Sequence, residues 1–482
     1  MKKTAHKAAA KAEQAARAQA QDMLHTMLQD MLQIDDRPEI WAAFPQFLQA
    51  LPQFATVVRD THTAAMQGGT KIDLFLALAL KILVAMCDAH AGQLDRAIGR
   101  LTRAATMQSN SLLAQGALFH VQGLADSANP KYQLQDRFCI KPFVELHVLE
   151  RTSHQCCGNW LPTSAGDLNE QPWEAVWNSQ AAQAVRASIH DGSYRHCNKT
   201  ACPAIQAGTL PTKAQAMAQW PGLAALIAEQ ETEMQRGPED VNLAYDATCN
   251  LSCPSCRTTK VAADSATRER YSALQERAIL PMLREAKSVF ITGSGDPFAS
   301  KNFRQLIERL TPDEYPDLRF RIMTNAMLFT PREWERFPAL HARVQSLQIS
   351  IDGASAQTHE LLRRGARWDV MQENLRFAAD LLAQGMVQGL YLSFTVQVDN
   401  FHEMGDAVVL ADQLNATGLY FGKMTNWGTF TPDEYARKAV FVPSHPRHQA
   451  FMAAMADPRL RSPRVILGNL IDHLPERAAE AA

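Results

Sequence analysis

Six segments that read as β-strands alternate with amphipathic helical segments in the C-terminal half of the chain. The predicted strands are residues 242–248, 288–295, 319–326, 346–353, 391–398 and 418–424. Strand–helix units in series form a parallel sheet with right-handed crossovers. The alternation therefore predicts an α/β fold in which the sheet curls into a partial (β/α)6 barrel, and it places any chemistry at the carboxyl ends of the strands.

The remaining sequence reads as smaller units. At roughly 150 residues per domain, 482 residues correspond to about three domains. The expected units are a helical region with a repeat-like helical pair (1–130), a Cys-rich module (131–205), a linker with one helix (206–238), the α/β core (239–430) and a C-terminal extension that closes the barrel (431–482). Single helices are expected at 170–192, 222–235 and 358–385.

Charge and cysteine usage narrow the class of protein. The formal net charge of −2 gives no signal for a nucleic-acid partner. The longest apolar run is shorter than the ~18 residues of a membrane span, and the basic N-terminus lacks the apolar segment of a secretory signal. Eight of the nine cysteines lie between Cys139 and Cys256. This clustering favours metal or redox work in a reducing compartment over a disulfide framework, so we expect a cytoplasmic protein.

Three cysteines, Cys249, Cys253 and Cys256, follow the first predicted strand on one short loop. Thiolates at this spacing can reach three corners of a cubane, whereas a 4Fe–4S cluster usually takes four cysteines. One iron would then stay open to a small molecule. A structural zinc ion is the alternative, but it prefers four closed ligands, and no fourth Cys or His follows nearby.

This C-x3-C-x2-C spacing resembles that of the radical S-adenosylmethionine (SAM) superfamily, over about residues 240–430. The resemblance implies that the open iron binds SAM, that the reduced cluster cleaves it, and that the resulting 5′-deoxyadenosyl radical removes hydrogen from a substrate. It also implies an external flavodoxin- or ferredoxin-like electron donor, and it requires no catalytic acid or base. Ser255 departs from the family, which often carries an aromatic residue there.

Glycines and polar residues end the later strands and resemble the family's SAM-binding motifs. Glycine allows the close backbone approach that such a motif needs, although a plain turn also favours Gly, Asp and Pro. The segments are Gly-Ser-Gly-Asp at 293–296, where the family usually has Glu in place of Asp, Thr-Asn-Ala at 324–326 and Ser-Ile-Asp-Gly at 350–353. The implied SAM contacts are Gly293, Gly295, Asp296, Asn325, Ser350, Asp352, Arg364 and Gln397. For Arg363 and Arg364, a position on a solvent-exposed helix face is an equally good interpretation.

The Cys-rich module resembles the auxiliary-cluster modules called SPASM or twitch. Its cysteines are Cys139, Cys156, Cys157, Cys197 and Cys202, and Trp177-Asn178-Ser179 occupies the position of the family's helix. The resemblance implies a second 4Fe–4S cluster held by Cys139, Cys197, Cys202 and one of the pair Cys156 and Cys157, with Cys156 preferred. A zinc site on the same thiolates is the alternative. The module precedes the barrel here, whereas in the family it follows.

The sequence alone does not identify the substrate. Relatives with auxiliary clusters often modify peptides or proteins, and the helical region could recruit one, so we favour a polypeptide over a sugar or small alcohol. Trp427 is a candidate substrate contact, and Cys87 reads as a packing residue. Two other classes are a two-cluster electron-transfer or sensing protein without SAM turnover, and a zinc-stabilised interaction scaffold.

Overall fold

The computed structural model describes residues 2–33, 38–51, 53–67, 74–107, 112–126, 132–199 and 202–475. The helices of the first three units are α1 (Lys2–Gln33), α2 (Pro38–Ala50), α3 (Phe54–Gln67), α4 (Leu74–His90), α5 (Leu94–Met107), α6 (Leu112–Asp126), α7 (Lys141–Val144), α8 (Trp173–Trp177), α9 (Gln180–His190), α10 (Pro203–Gln206), α11 (Lys213–Gln219) and α12 (Ala224–Glu229). Those of the α/β core and C-terminal part are α13 (Ser265–Leu274), α14 (Leu280–Leu283), α15 (Lys301–Arg309), α16 (Pro331–Trp334), α17 (Ala356–Leu362), α18 (Trp368–Ala383), α19 (Met404–Gln413), α20 (Pro432–Lys438) and α21 (His448–Met455).

Helices α1–α6 form a bundle with its own hydrophobic core, separate from that of the rest of the chain. Leu24, Val58, Leu83 and Leu101 are buried in it. Cys87 packs there too, and burial raises the pKa of its thiol to about 12. The described residues include no helix that is both long and apolar enough to cross a bilayer.

One nine-stranded sheet organises the rest of the molecule. Its strands are β1 (Glu145–Val148), β2 (Ser153–His154), β3 (Asp240–Leu243), β4 (Ser288–Ile291), β5 (Arg319–Thr324), β6 (Val344–Ser350), β7 (Leu390–Val396), β8 (Gly418–Lys423) and β9 (Val465–Ile466). The spatial order is β2-β1-β3-β4-β5-β6-β7-β8-β9, and every pair is parallel except β1 and β2. Strands β3–β8 are the six predicted strands, so the predicted parallel α/β core is confirmed.

The two faces of the sheet differ in burial because successive residues of a strand point to opposite sides. On β5, Phe320 and Ile322 are buried, whereas Arg321 and Met323 are only half-buried. β7 repeats the alternation, with Leu392 buried and Tyr391 half-buried. The apolar side packs under the helices, and the more polar side lines an open interior.

Three predicted helices are shorter or broken in the structure. Residues 170–192 form α8 and α9, because the Asn178 side chain bonds the backbone of Met234 and Ser179 caps the second helix. In place of the helix predicted at 222–235, a 3-10 turn (Pro221–Leu223) leads into α12, which ends where Gln230 turns left-handed at φ +56°. The helix predicted at 358–385 is interrupted near Gly365, whose φ is +97°, so it becomes α17 and α18.

The Cys-rich module belongs to the sheet. Its strand β1 runs parallel to β3, with Leu146 opposite Val241, and β2 folds back along its other side. At the far end of the sheet, β9 pairs with β8, and the following turn, Gly468–His473, packs against α10 of the module. The module therefore contacts both ends of the curled sheet. The expected boundary at residue 130 and the last seven residues, 476–482, lie outside the described residues.

Candidate active site

The loop that follows β3 holds three thiols at the carboxyl edge of the sheet. The Cys249 N–H donates to Val261 O at 2.9 Å, which closes the base of the loop. The N–H groups of Cys256 and Arg257 both donate to Cys253 O at 2.9 Å, so the loop turns tightly between the second and third cysteines. Local backbone bonds thus gather the three cysteines that the sequence singled out.

Several hydrogen-bond donors point at these sulfur atoms. Cys249 Sγ accepts from Leu251 N at 3.5 Å and from Asn325 Nδ2 at 3.6 Å. Cys256 Sγ accepts from Arg257 Nε at 3.4 Å and Nη2 at 3.3 Å. Donors of this kind stabilise thiolate over thiol. Burial raises the pKa of the Cys249 and Cys253 thiols, and the positive charge of Arg363 opposes that rise at both.

Arg363 is a partly buried cation beside the cysteines. Its Nε lies 3.1 Å from Asp352 Oδ2, and the other Asp352 oxygen accepts from Thr395 N at 2.9 Å. Burial lowers the pKa of Arg363, but Asp352 and the thiolates of all three loop cysteines outweigh burial and raise it. The cation is therefore held at the cysteine loop by a carboxylate from the end of β6.

Arg364, the arginine assigned to SAM from the sequence, has a different environment. Its Nε donates to Ser252 Oγ at 3.1 Å and its Nη2 to Thr258 O at 2.8 Å, while Ser252 N donates to Arg364 O at 3.1 Å. Arg364 fastens the cysteine loop from outside. Of the two neighbouring arginines, Arg363 is the one that faces the sulfur atoms.

The glycine-rich turn after β4 packs against the root of the cysteine loop. A Cβ atom on Gly295 would lie 2.5 Å from Thr248 O and 2.6 Å from Asp246 O, so only glycine fits there. Gly293 borders the open interior, with nothing within 4 Å of such an atom.

Asp296 is fully buried and its carboxylate is bonded within the protein. Oδ2 accepts from Thr324 Oγ1 at 2.7 Å and from Asn325 N at 2.8 Å, and Oδ1 accepts from Phe298 N at 3.1 Å. Burial raises the pKa of this carboxyl group, and its donors oppose the rise. Asp296 joins the ends of β4 and β5 and so positions Asn325 beside Cys249.

The remaining assigned residues lie at the ends of β6 and β7. Ser350 pairs with Ser393 across the two strands, and Gln397 is buried directly after β7. Sequence reasoning missed Glu403, which accepts from Ala354 N at 2.6 Å and from Ser355 Oγ at 2.8 Å and so holds the turn after Asp352. Nothing in the sequence around Glu403, at the start of α19, signals this contact across the fold.

A cavity of about 1650 Å³ fills the concave side of the sheet. It is bordered by the inner face of the strands and by the Cys-rich module, including Asn242, Phe290, Arg321, Gln348, Tyr391 and Tyr420 from the strands and Lys141, His147, Cys157 and Trp160 from the module. Gly293 and Ser294 of the glycine-rich turn reach the same space. Trp427 also borders it and is 61% exposed.

Four of the five module cysteines converge from three segments of chain. Burial raises the pKa of the thiols of Cys139, Cys156 and Cys197, and each of these thiols is raised further by at least one neighbouring thiolate of the group that also includes Cys202. The sulfur of Cys157, which borders the cavity, accepts hydrogen bonds from the N–H groups of Asn159 and Trp160. Cys156 is buried and lies near Cys139 and Cys197, whereas Cys157 borders the cavity.

The surroundings of this second group are mostly fixed by hydrogen bonds. Lys141 Nζ lies 2.8 Å from both oxygens of Glu145. Burial alone would raise the pKa of Glu145, but His147 and Lys141 lower it to about 2. Both ring nitrogens of His154 lie 3.0 Å from oxygen atoms of Thr163 and Thr152. Within the described ranges, no three His, Cys, Asp or Glu side chains converge closely enough to hold a single metal ion.

Arg186 and the Trp177-Asn178-Ser179 segment attach the module to the chain that enters β3. Trp177 Nε1 donates to Arg236 O at 2.8 Å. Arg186 is fully buried, stacks at 4.4 Å on the Trp177 ring and donates to three carbonyl oxygens, those of Pro142, Trp177 and Thr232. Burial lowers the pKa of its guanidinium to about 9. The segment read as a linker is packed into this contact.

Comparison with known proteins places this site in a class. Residues 247–406, which include the cysteine loop and the strand ends, match the family model described as the radical SAM superfamily. The match covers the region where the structure gathers Cys249, Asn325 and Arg363.

Two curated relatives match parts of the chain. The AdoMet-dependent heme synthase of Methanosarcina barkeri is 34% identical over 134 residues, which are 27% of this chain and 36% of that protein. The mycofactocin maturase MftC of Mycobacterium tuberculosis is 25% identical over 170 residues, which are 35% of this chain and 40% of that protein. The matches thus span well under half of either relative.

Solved structures give only distant likenesses. Streptococcus suis SuiB bound to S-adenosylmethionine has 16% identity and a TM-score of 0.30, covering 44% of this chain and 46% of that one. The anSMEcpe protein with bound AdoMet and a Kp18Cys peptide has 17% identity and a TM-score of 0.29, covering 41% and 57%.

Proposed function

We propose that this protein is a radical SAM enzyme that cleaves S-adenosylmethionine reductively at a 4Fe–4S cluster held by Cys249, Cys253 and Cys256. The carrying observation is the loop that places three thiols, their hydrogen-bond donors and the partly buried cation Arg363 together at the carboxyl edge of a parallel sheet. The donor set fits a cluster, because hydrogen bonds to thiolate sulfurs and a nearby cation favour the deprotonated ligands.

The chemistry that the cluster and SAM would supply is one-electron cleavage followed by hydrogen abstraction from a substrate. The protein's own residues then have three tasks. Arg257, Leu251 and Asn325 orient and stabilise the thiolates. Arg363 offers positive charge to a carboxylate of SAM. Gly293 and Ser294 line the approach from the interior.

A second 4Fe–4S cluster in the module is part of the proposal, with Cys139, Cys156, Cys197 and Cys202 as ligands. The proximity of the Cys156 thiol to Cys139 and Cys197 supports this set and favours Cys156 over Cys157 as the fourth ligand. Four protein ligands would close the cluster, so it would pass or accept electrons rather than bind SAM.

The favoured substrate is a peptide or a segment of a protein. The cavity of about 1650 Å³ is larger than the ~300–1,000 Å³ of ordinary small-molecule pockets, and it lies between the core strands and the module. The proposed location is the cytoplasm, since all nine cysteines are free of disulfide bonds. A flavodoxin- or ferredoxin-like protein would deliver the electron.

The decisive experiment is anaerobic reduction of the iron-loaded protein with SAM, with 5′-deoxyadenosine as the readout. Wild type should bind about eight irons and form the nucleoside. Cys253→Ala should lose about four irons and all nucleoside formation, while Cys87→Ala, in the separate helical core, should behave as wild type.

The other outcomes identify the alternatives. Two clusters without SAM cleavage in any condition would indicate an electron-transfer or sensing protein. Zinc without iron would indicate an interaction scaffold. Nucleoside formation by Cys253→Ala at the wild-type rate would contradict the assigned SAM site.

A further inference from the structure

The helical bundle contains three arginines, from two helices, that surround one buried carboxylate. Asp88 on α4 is 2% exposed. The Nη2 atom of Arg59 on α3 lies 3.2 Å from Asp88 Oδ1. On α5, the Nε atoms of Arg96 and Arg100 lie 3.5 Å and 3.1 Å from Asp88 Oδ2. One carboxylate balances one guanidinium, so Asp88 leaves two of the three positive charges uncompensated.

The surroundings of Asp88 add no second negative charge. Among the side chains described in α1–α6, no other carboxylate forms an ion pair with these three arginines, and Asp60 pairs with Arg17 of α1 instead. Burial lowers the pKa of His62 on α3, and the charges of Arg100 and Lys81 lower it further. The region between α3, α4 and α5 is therefore positive, in a chain whose formal net charge is −2.

The guanidinium groups are fixed by Asp88 and are still accessible. Arg59 and Arg96 are 45% and 59% exposed, and Arg100 is 28% exposed. Residues three and four apart share one face of a helix, so Arg96, Arg100 and the exposed Arg103 form a row along α5. Asp88 contacts one nitrogen of each paired guanidinium, although a guanidinium carries five N–H donors. This row and Arg59 of α3 together form the arginine face.

Carboxylates are suitable ligands for such a surface, because the planar guanidinium group matches a carboxylate in a bidentate contact. Asp88 holds the arginines in position before a ligand arrives, which reduces the side-chain entropy that binding would cost. We propose that the arginine face binds an acidic segment of the polypeptide substrate. The inference rests on the polypeptide substrate of the proposed function, and it adds a recognition site in the helical bundle.

An acidic peptide fits the arginine face better than a nucleic acid does. The guanidiniums of Arg59, Arg96 and Arg100 lie within 3.5 Å of the same carboxylate, so the positive charge is concentrated on a short stretch. Nucleic-acid binding instead uses many phosphate contacts along a backbone. The bundle also has a hydrophobic core separate from that of the sheet. A contact here would hold the substrate through a segment other than the reacting one, and such remote binding energy can serve catalysis.

The test is the binding of a fluorescein-labelled decapeptide of alternating Glu and Gly to the full chain, followed by fluorescence anisotropy. The comparison probes are a decapeptide of alternating Gln and Gly and a single-stranded RNA of the same charge as the acidic peptide. Arg96→Gln removes one charge from the face and leaves Arg59 and Arg100 beside Asp88. Arg17→Gln is the matched control, because Arg17 is 54% exposed in the same bundle and pairs with Asp60.

Wild type should bind the Glu–Gly peptide and not the Gln–Gly peptide. The affinity should fall steeply between ~0.1 M and ~1 M sodium chloride, where the screening length shortens to ~3 Å. Arg96→Gln should raise the Kd about threefold to fivefold, the effect of one exposed ion pair, and Arg17→Gln should leave it unchanged. An equal Kd in wild type and Arg96→Gln would overturn the proposal, and so would tighter binding of the RNA than of the acidic peptide.

Two further measurements separate recognition from folding and from chemistry. If Arg96→Gln loses helical circular dichroism, Arg103→Gln replaces it, because Arg103 is exposed and lies outside the ion pairs described for Asp88. An unchanged Kd in Arg103→Gln would then contradict the proposal. The 5′-deoxyadenosine assay is run on the same iron-loaded proteins. Peptide binding without nucleoside formation by wild type would contradict SAM cleavage and leave the arginine face standing, whereas nucleoside formation without peptide binding would overturn the arginine face alone.

Discussion

The two cysteine groups of this protein are built in opposite ways. Cys249, Cys253 and Cys256 come from a single loop, and main-chain hydrogen bonds within that loop bring them together. Cys139, Cys156, Cys197 and Cys202 come from three separated segments, and they meet only when the module has folded around Arg186 and β1. A group on one loop depends on local backbone geometry, whereas a group collected from distant segments depends on the packing of the whole module.

The difference also extends to exposure. Cys256 is exposed, whereas Cys156 is buried and Cys139, Cys197 and Cys202 are partly exposed. An open group suits a cluster that binds a small molecule, and a closed group suits one that only exchanges electrons. The following four variants test this contrast, from the largest expected effect to the smallest.

Arg186→Leu should disrupt the group formed by Cys139, Cys156, Cys197 and Cys202 (the module group). The group formed by Cys249, Cys253 and Cys256 (the loop group) should stay intact. Three carbonyl oxygens lose their donor at ~1–3 kcal/mol each, so the free energy of unfolding should fall by about 3 kcal/mol or more in urea titrations. Iron content should fall by about four atoms while the nucleoside assay retains activity. Arg376→Leu, at an exposed site on α18, is the control. Equal loss at both groups would mean that the two do not fold separately.

Gly295→Ala should have the opposite effect: it should disrupt the loop group and leave the module group intact. The added Cβ meets the carbonyl oxygens of Thr248 and Asp246, and relieving that contact displaces the root of the cysteine loop at a cost of ~1–3 kcal/mol. We expect loss of the loop cluster and of 5′-deoxyadenosine formation, with the module iron retained. Gly222→Ala, where nothing lies within 4 Å, should be silent. Retention of all iron in Gly295→Ala would show that the loop adapts.

His359→Phe should change how stability depends on pH near the loop group. Burial, then the charge of Arg363, lowers the pKa of His359 to about 3, and both ring nitrogens lack hydrogen-bond partners among the described residues. Its folded pKa is below the unfolded value, so the unfolded state binds more protons and stability is lost as pH falls below about 6.5. Between pH 7.5 and 5.5, this residue should cost the wild type ~1.4 kcal/mol.

The measurement is the difference in unfolding free energy between these two pH values, for wild type and for His359→Phe. Other buried histidines, such as His473, contribute equally to both proteins and cancel. The pH dependence of the variant should be smaller than that of wild type. If the two are parallel, His359 is not the neutral buried group that its surroundings dictate.

Trp427→Ala should have the smallest effect on the folded protein. The side chain is 61% exposed, so the unfolding free energy should stay within ~0.5 kcal/mol of wild type. Substrate-free SAM cleavage should persist, while the amount of product per 5′-deoxyadenosine should change once a peptide substrate is supplied. Equal loss of both would contradict a role in substrate contact.

The sequence predicts correctly those features that depend on local residue patterns. The six core strands follow from their period and spacing, and the cysteine loop follows from its own residues. It was less informative about partners across the fold. Nothing distinguishes Arg363 from Arg364 in the chain, because which of them faces the sulfurs depends on the end of α17 relative to β6.

Other features had no sequence signal at all. β1 is only four residues long and shows no clear alternation, so its place beside β3 could not be read from the chain. Asp296 resembles a ligand-binding residue in its motif, yet its carboxylate is bonded to neighbouring strands. A short strand and a buried carboxylate gain their roles from long-range contacts, which a single sequence does not report.

The position of the module at both ends of the sheet has a consequence for gene order. On one side β1 pairs with β3, and on the other α10 packs against the turn at Gly468–His473. A unit that touches the first and last parts of a curled sheet keeps the same neighbours whether it is encoded before or after that sheet. In this chain the module, although it precedes the core in the sequence, contacts both the first core strand and the turn that follows the last strand.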